Sequence, residues 1–226
     1  MDEKTRAMQF DFDRLATISA LDWNPNSYYD NFLLKYVPPH CENVLEIGCG
    51  LGDFSRQLAR RSTWVLALDL SPNMIQQAKE RSAQFSNIDF QIADVMIHDL
   101  PAAAFDCIVS IATIHHLPTQ EIIAKMKNAL RDNGTLIILD LWQSANWNDM
   151  LRSAVALFMS ALLRLLKQGR LRSPREIRQA WDEHGQKDTY LTMLQVRRIC
   201  AELLPRAQVR QHWLWRYSVV WRKVSS

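Results

Sequence analysis

The chain is poor in the features that would assign it quickly. Four cysteines, Cys41, Cys49, Cys107 and Cys200, show no Cys-x-x-Cys and no zinc-like spacing, which argues against a structural metal module. The charge is nearly balanced, with 27 basic and 24 acidic residues and a net +3. That excess is too small to imply nucleic acid by itself. No run approaches the ~20 apolar residues of a membrane span. Residues 1–20 are charged and lack an apolar core, so no leader peptide is expected there. Internal repeats and low-complexity tracts are missing. What remains is 226 residues, 48% hydrophobic and 23% charged, enough to bury a core as one domain with additions.

The most informative stretch present is Val44-Leu45-Glu46-Ile47-Gly48-Cys49-Gly50-Leu51-Gly52-Asp53-Phe54-Ser55. A β-prone run meets three alternating glycines, and a helix-compatible segment, Asp53 to Arg61, follows. This reads as a strand, a tight turn and a helix N-terminus, where nucleotide-like ligands sit in an open α/β sheet. The dinucleotide fingerprint requires Gly-x-Gly-x-x-Gly. Here the third glycine comes one residue early, and Asp53 occupies the place reserved for it. Glu46 precedes the turn. An acid there suits a ligand with an ammonium or sulfonium group better than a pyrophosphate. Asp53 itself reads as a helix cap.

The pattern Glu46-x-Gly48-x-Gly50-x-Gly52 resembles motif I of class I S-adenosylmethionine-dependent methyltransferases. The resemblance implies a Rossmann-like, mostly parallel seven-stranded sheet with helices on both faces, and S-adenosylmethionine as cofactor. The next landmarks keep its order. Trp64 to Asp69 reads as a second strand, and Asp69 lies 17 residues after Gly52, near the roughly 20-residue spacing at which an acid meets ribose hydroxyls. Ser71-Pro72 reads as an N-cap with proline at the first helical position, and Met74 in that first turn is expected over the adenine. Ile88 to Val95 reads as a third strand ending in Asp94, which the resemblance places against the adenine amino group. Asp69 and Asp94 also have a plain reading as caps of the helices after them. Phe105 to Ile111 reads as a fourth strand, Thr119 to Leu130 as a helix stopped by Asp132-Asn133-Gly134, and Thr135 to Leu141 as a fifth strand. Near-continuous apolar strands alternating with amphipathic helices argue for a parallel sheet covered on both faces. Besides Glu46, the three glycines, Asp69, Met74 and Asp94, the expected cofactor contacts are Cys49, Leu70, Val95 and Ile111. Cys49 and Cys107 then fall in the cofactor core, so a reduced, cytoplasmic setting is expected rather than disulfides.

Residues 1–40 read as a lid or flank, with Trp23, Tyr28 and Tyr29 among polar turn residues, and residues 41–226 as the catalytic domain. In similar enzymes a tyrosine of such a flank faces the reactive methyl, which makes Tyr28 a candidate; Tyr29 reads as packing. A helical cap is expected at about 145–190. It comprises a helical segment Asn146 to Lys167 with an apolar stretch from Ala154 to Leu163; beyond that stretch come Arg164, Lys167, Arg170, Arg172, Arg175 and Arg178, with a second helix begun by Ser173 as cap, Pro174 and Glu176. Three readings stay open for this insert: packing on the sheet edge, contact with anionic lipid and a dimer face. Trp181, His184, Asp188, Tyr190 and Thr192 form a polar-aromatic group before a helix from Leu191 to Leu204. Gln208 to Trp215 and Arg216 to Trp221 read as an antiparallel hairpin.

Histidine is the natural general base near neutral pH. His115 and His116 follow the fourth strand, at the carboxyl edge where ligands bind. The resemblance implies methyl transfer to an oxygen or nitrogen of a small, apolar or aromatic acceptor. The absence of Asn/Asp-Pro-Pro-Tyr after Ser110 lowers nucleobase and glutamine amines, and no catechol-type acid cluster or arsenite-type cysteine pattern occurs. No resident metal and no nucleic-acid partner are expected. The alternatives are a lipid or quinone methyltransferase at a membrane surface, with peripheral contact through the basic cap, and a non-catalytic cofactor-binding subunit. A monomer or a homodimer is expected.

Overall fold

A computed structural model describes residues 3–18, 24–144, 147–186 and 188–224. Trp23 and Asn146 lie outside the described residues. Seven strands form one sheet: β1 (Cys41–Ile47), β2 (Ser62–Asp69), β3 (Ile88–Ile92), β4 (Phe105–Ile111), β5 (Leu130–Leu141), β6 (Gln208–Gln211) and β7 (Arg216–Arg222). Their order is β3-β2-β1-β4-β5-β7-β6. The pairs among β1 to β5 are parallel, and β7 runs antiparallel to both β5 and β6. The helices are α1 (Glu3–Ile18), α2 (Asp30–Leu33), α3 (Asp53–Ala59), α4 (Pro72–Arg81), α5 (Thr119–Ala129), α6 (Trp147–Gln168), α7 (Arg175–Gly185) and α8 (Met193–Leu203). Among the described residues no helix is long and apolar enough to cross a membrane.

Strand alternation divides the core into two layers. Leu45, Ile108, Leu136 and Ile138 point into one layer, with α5 and α8 packed on it. Val44, Val109, Ile137 and Leu139 point into the other, with α2, α3 and α4. Both faces are therefore apolar, which is why these strands show continuous hydrophobic runs rather than alternation. All four cysteines are buried and free.

The element boundaries depart from expectation where long-range pairing wins over local signals. Helix α5 ends at Ala129, and Asp132-Asn133-Gly134 falls inside β5 rather than ahead of it. The reason is its pairing with the end of the chain: Asn133 N–H donates to Lys223 O at 2.8 Å, and Lys223 N–H to Gly134 O at 3.0 Å. Strand β3 stops at Ile92, two residues before Asp94. The last hairpin is turned by Leu214 and Trp215, both at positive φ.

Two caps differ as well. Asp53 is not the cap of α3: Gly52 is, in a left-handed conformation, and the Asp53 carboxylate pairs with Arg56. Ser173 does not cap α7, because Pro174 is extended, at φ −49 and ψ 151, and delays the first helical residue to Arg175. Ser71 does cap α4, accepting from Met74 N at 3.1 Å. Thr192 caps α8 in a reciprocal capping box with Gln195.

The N-terminal helix is tied to the carboxyl edge of the sheet. Gln9 Nε2 donates to Leu70 O at 3.1 Å, and Asp13 accepts from Ser71 Oγ at 2.5 Å and Asn73 N at 3.1 Å. Arg14 pairs with Glu183 of α7 at 2.8 Å. Helix α1 thus bridges the start of α4 and the second helix after β5.

Candidate active site

A cavity of about 570 Å³ opens at the carboxyl edge of β1, β2, β4 and β5, within the range typical of small-molecule sites. One end is the glycine turn. Gly48 N and Cys49 N both donate to Leu68 O, at 2.8 and 3.0 Å, tying the turn to β2. Gly50 N donates to Asp69 Oδ2 at 2.8 Å. The three glycines then do different jobs. A Cβ on Gly48 would strike the Thr113 side chain, and one on Gly52 would lie 2.8 Å from the Phe90 ring. At Gly50, where φ is +51, a Cβ would meet nothing within 4 Å. A Cβ at Gly48 or Gly52 would run into packed side chains, whereas the space over Gly50 is open; Gly48 and Gly50 line the cavity and Gly52 does not.

Asp69, Asp94 and Glu46 are among the carboxylates that line the cavity. Asp69 accepts from Gly50 N and, at 2.9 Å, from Ser71 N; burial raises its pKa against the pull of these N–H groups. Asp94 accepts from Met96 N at 2.9 Å. Both acids therefore shape their own loops while facing the cavity. Glu46 is buried and accepts from Ser55 Oγ at 2.5 Å. Burial pushes its pKa up to about 8; the Ser55 hydrogen bond opposes this, and Asp30, Asp53 and Asp69 add to it. Folded Glu46 thus holds a proton that the unfolded chain, with a pKa of about 4.3, releases. Stability is expected to fall as pH rises from about 4.5 to about 8, by up to about 1.4 kcal/mol per unit. Melting curves across that window should show a shallower slope in Glu46→Gln than in the native chain, the remainder coming from Asp30, raised to about 6, and Asp69; parallel curves would mean Glu46 does not hold the proton.

The other end of the cavity is built by the turn after β4 and by the segments after β5. Buried Ile114 anchors the turn Ile114–His116. Asp140 of β5, with no exposed surface, accepts from His115 N at 2.8 Å, from Leu141 N at 2.8 Å and from His115 Nδ1 at 2.5 Å. With both oxygens so engaged, the His115 ring is fixed through Nδ1 and its Nε2 is turned towards Asp188. Asp188 lies opposite. Its carboxylate meets His116 Nδ1 at 2.9 Å and Tyr190 OH at 2.9 Å, with His115 Nε2 at 3.7 Å and His184 Nε2 at 3.8 Å. Burial pushes the Asp188 pKa up, but His116, Tyr190 and His184 outweigh it and hold it at about 2. Burial depresses the pKa of His184. Phe12 of α1 packs edge-on against His116 and His184, at 5.2 and 4.9 Å between centroids.

Most of the residues singled out from sequence face this cavity: Glu46, Gly48, Cys49, Gly50, Asp69, Leu70, Met74, Asp94, Val95, Ile111, His115 and His116. Two do not. Gly52 packs under Phe90, and Tyr28, half exposed, lies edge-on to Tyr29, while its neighbours Asn24, Pro25, Asn26 and Ser27 line the wall instead. Tyr29 is buried and donates to Trp213 O at 2.5 Å. Trp181, His184, Asp188 and Tyr190 reach the cavity, whereas Thr192 is spent on capping α8. Sequence reasoning missed Met8, Phe12, Asp140 and Arg216. Asp140 ends an apolar strand, as Asp69 does, and that was its available signal. Arg216 is buried, held by Asn26 Oδ1 at 2.6 Å and Leu214 O at 2.8 Å, and burial lowers its pKa.

Residues 44–134 match the profile of a methyltransferase domain. An uncharacterized methyltransferase of Mycobacterium tuberculosis is 33% identical over 135 residues, covering 55% of this chain and 68% of that protein. The chain belongs to the class I S-adenosylmethionine-dependent methyltransferases. Another relative of this methyltransferase, the malonyl-[acyl-carrier protein] O-methyltransferase of a Paenibacillus species, is 41% identical over 103 residues, or 42% of this chain and 37% of that protein. Among solved structures, the N-methyltransferase NodS from Bradyrhizobium japonicum, in complex with S-adenosylhomocysteine, aligns with a TM-score of 0.65 at 19% identity. That alignment covers 99% of this chain and 100% of NodS. Phosphoethanolamine N-methyltransferase 1 of Haemonchus contortus aligns with a TM-score of 0.67 at 16% identity, over 99% of this chain and 49% of that one. At these identities the likeness is one of fold. S-adenosylmethionine is the methyltransferase's cofactor. The open space over Gly50 and the surrounding acids fit a cationic, hydroxyl-bearing ligand.

Proposed function

We propose that this methyltransferase acts on an oxygen or nitrogen of a small, partly apolar molecule held between the glycine turn and the Asp188 cluster. The observation that carries this is a single cavity with the cofactor motif at one end and His115, His116, His184 and Asp188 at the other. The cofactor supplies a methyl group already activated on a sulfonium centre, so the chain must supply position, desolvation and a place for the acceptor's polar atom. Glu46, Gly48, Cys49, Gly50, Gly52, Asp69, Leu70, Met74, Asp94, Val95 and Ile111 form the proposed cofactor side, Gly52 by packing rather than contact. Phe12 and Trp181 exclude water from the far side, and α1 acts as the flank that covers it. His115, its ring fixed by Asp140 at Nδ1, and His116 border the space proposed for the acceptor's polar atom. We assign Tyr28 no catalytic role, since its half-exposed ring packs against Tyr29 and does not line the cavity.

Calorimetry with S-adenosylmethionine and S-adenosylhomocysteine, followed by a screen of phenols, hydroxy acids and amines, tests the proposal. Binding of both cofactor forms and turnover of one acceptor class supports it. Binding without turnover, together with a stable complex with another protein, would point to a non-catalytic subunit.

A second reading, acceptors drawn from a membrane surface, is favoured by α6. Leu157, Phe158, Leu165 and Leu166 are exposed on it, beside Lys167 and the arginines that come after it. Anionic vesicles should then retain the protein and release a Phe158→Ser, Leu166→Ser variant; equal retention of the two would refute this reading.

A further inference from the structure

The acceptor end of the cavity has the donor set of a metal site. His115, His116 and Asp188 each offer one ligand atom, and these atoms lie within 4.8 Å of one another. The three side chains are only 6% exposed. Two separations matter: 2.9 Å between His116 Nδ1 and Asp188 Oδ1, and 3.7 Å between His115 Nε2 and Asp188 Oδ2. Bonds of about 2.1 Å to a shared ion set donor atoms about 3–4 Å apart, and each imidazole nitrogen stands at such a distance from one oxygen of the Asp188 carboxylate, which can reach the ion through either or both. A second observation is independent of these distances. Asp140 engages Nδ1 of His115 at 2.5 Å, so that the other ring nitrogen, Nε2, is the one facing Asp188. Nε2 of His115 is therefore the ring nitrogen placed to reach an ion shared with that carboxylate. A carboxylate behind a ligating imidazole is the usual outer shell of such sites; it fixes the ring and strengthens the ligand.

We propose that His115, His116 and Asp188 bind a divalent transition-metal ion in the acceptor half of the cavity. Two imidazoles and one carboxylate suit Zn²⁺, Fe²⁺ or Co²⁺ rather than Mg²⁺ or Ca²⁺, which prefer all-oxygen ligands. Three protein ligands leave coordination positions open. Those positions face the cavity, so an acceptor's oxygen or nitrogen can take one, and the ion, not a free histidine, meets the acceptor's polar atom. This last step rests on the methyltransferase reading; the binding of metal does not.

Untagged protein, stripped by a chelator and dialysed, would be titrated with Co²⁺, with Zn²⁺ and, separately, with S-adenosylhomocysteine. One Co²⁺ per chain is expected, with visible ligand-field absorption that Zn²⁺ displaces. Asp188→Asn should weaken the ion's binding by about 100-fold or more, and Asp140→Asn, which touches only the support behind His115, by about 10- to 100-fold. Circular dichroism checks that the variants fold, and the native titration decides by itself if they do not. Absence of Co²⁺ and Zn²⁺ binding at millimolar concentration, or binding that survives Asp188→Asn, would overturn the site. If S-adenosylhomocysteine still binds in that case, only the metal falls. If metal binds and S-adenosylhomocysteine does not, the cofactor reading falls and the site stands.

Discussion

Gly50→Val is expected to remove cofactor binding from a chain that still folds. The residue sits at φ +51 with its Cβ direction open and its N–H held by Asp69. A valine there costs about 1–3 kcal/mol for the left-handed backbone, which a domain of ordinary stability survives. The added methyl groups then fill space that no part of the protein uses. The affinity for S-adenosylhomocysteine should drop by at least about 100-fold, or about 2.8 kcal/mol. Gly48→Ala and Gly52→Ala behave differently, because their Cβ atoms would run into Thr113 and Phe90. Those variants should lose melting temperature first and affinity as a consequence. Calorimetry paired with melting curves separates the two cases. A Gly50→Val protein that binds within about threefold of native would mean that the ligand does not lie over the turn.

Asp140→Ala is expected to give the largest loss of stability. The carboxylate is fully buried and accepts from two backbone N–H groups and the His115 ring. Truncation leaves these donors without partners in a site that water reaches poorly. Each costs about 1–3 kcal/mol, and about 3–5 kcal/mol in total is a reasonable sum for a broken buried network. For a chain of this size that is a fall of roughly 6–20 °C in melting temperature. Asp140→Asn should be milder in stability, since one acceptor oxygen and the volume remain. Its NH₂ group, however, would donate towards Nδ1 and turn the His115 tautomer around. An Asp140→Ala protein melting within about 2 °C of native would show that the network does not hold the turn.

The cofactor half of the site was legible because it is local. Glu46, the three glycines and the strand-end acids Asp69 and Asp94 sit at the ends of strands whose apolar runs announce them, and a parallel sheet brings those ends to one edge whatever the details of packing. The strand order follows from the same local units and their connections. Errors in this region were of boundary and cap. Asp132-Asn133-Gly134 reads as a turn until Lys223 pairs with it, and Ser173 reads as a cap until Pro174 stays extended.

The acceptor half was not legible in the same way. His115 and His116 advertise themselves, but their partners are Asp140, 25 residues on, and Asp188, 72 residues beyond His116. No periodicity links such positions; they meet because β5 lies beside β4 and because the chain returns over the sheet edge after α7. Tyr28 shows the converse, since the resemblance to similar enzymes made it a candidate, yet it packs edge-on against Tyr29 and does not line the cavity. The amino-acid sequence by itself determined the sheet, the motif and the cofactor, because each rests on residues adjacent along the chain or on strands in fixed succession. Only the tertiary structure decided which nitrogen of His115 Asp140 holds and which carboxylate lies opposite the other, because contacts between distant segments set both.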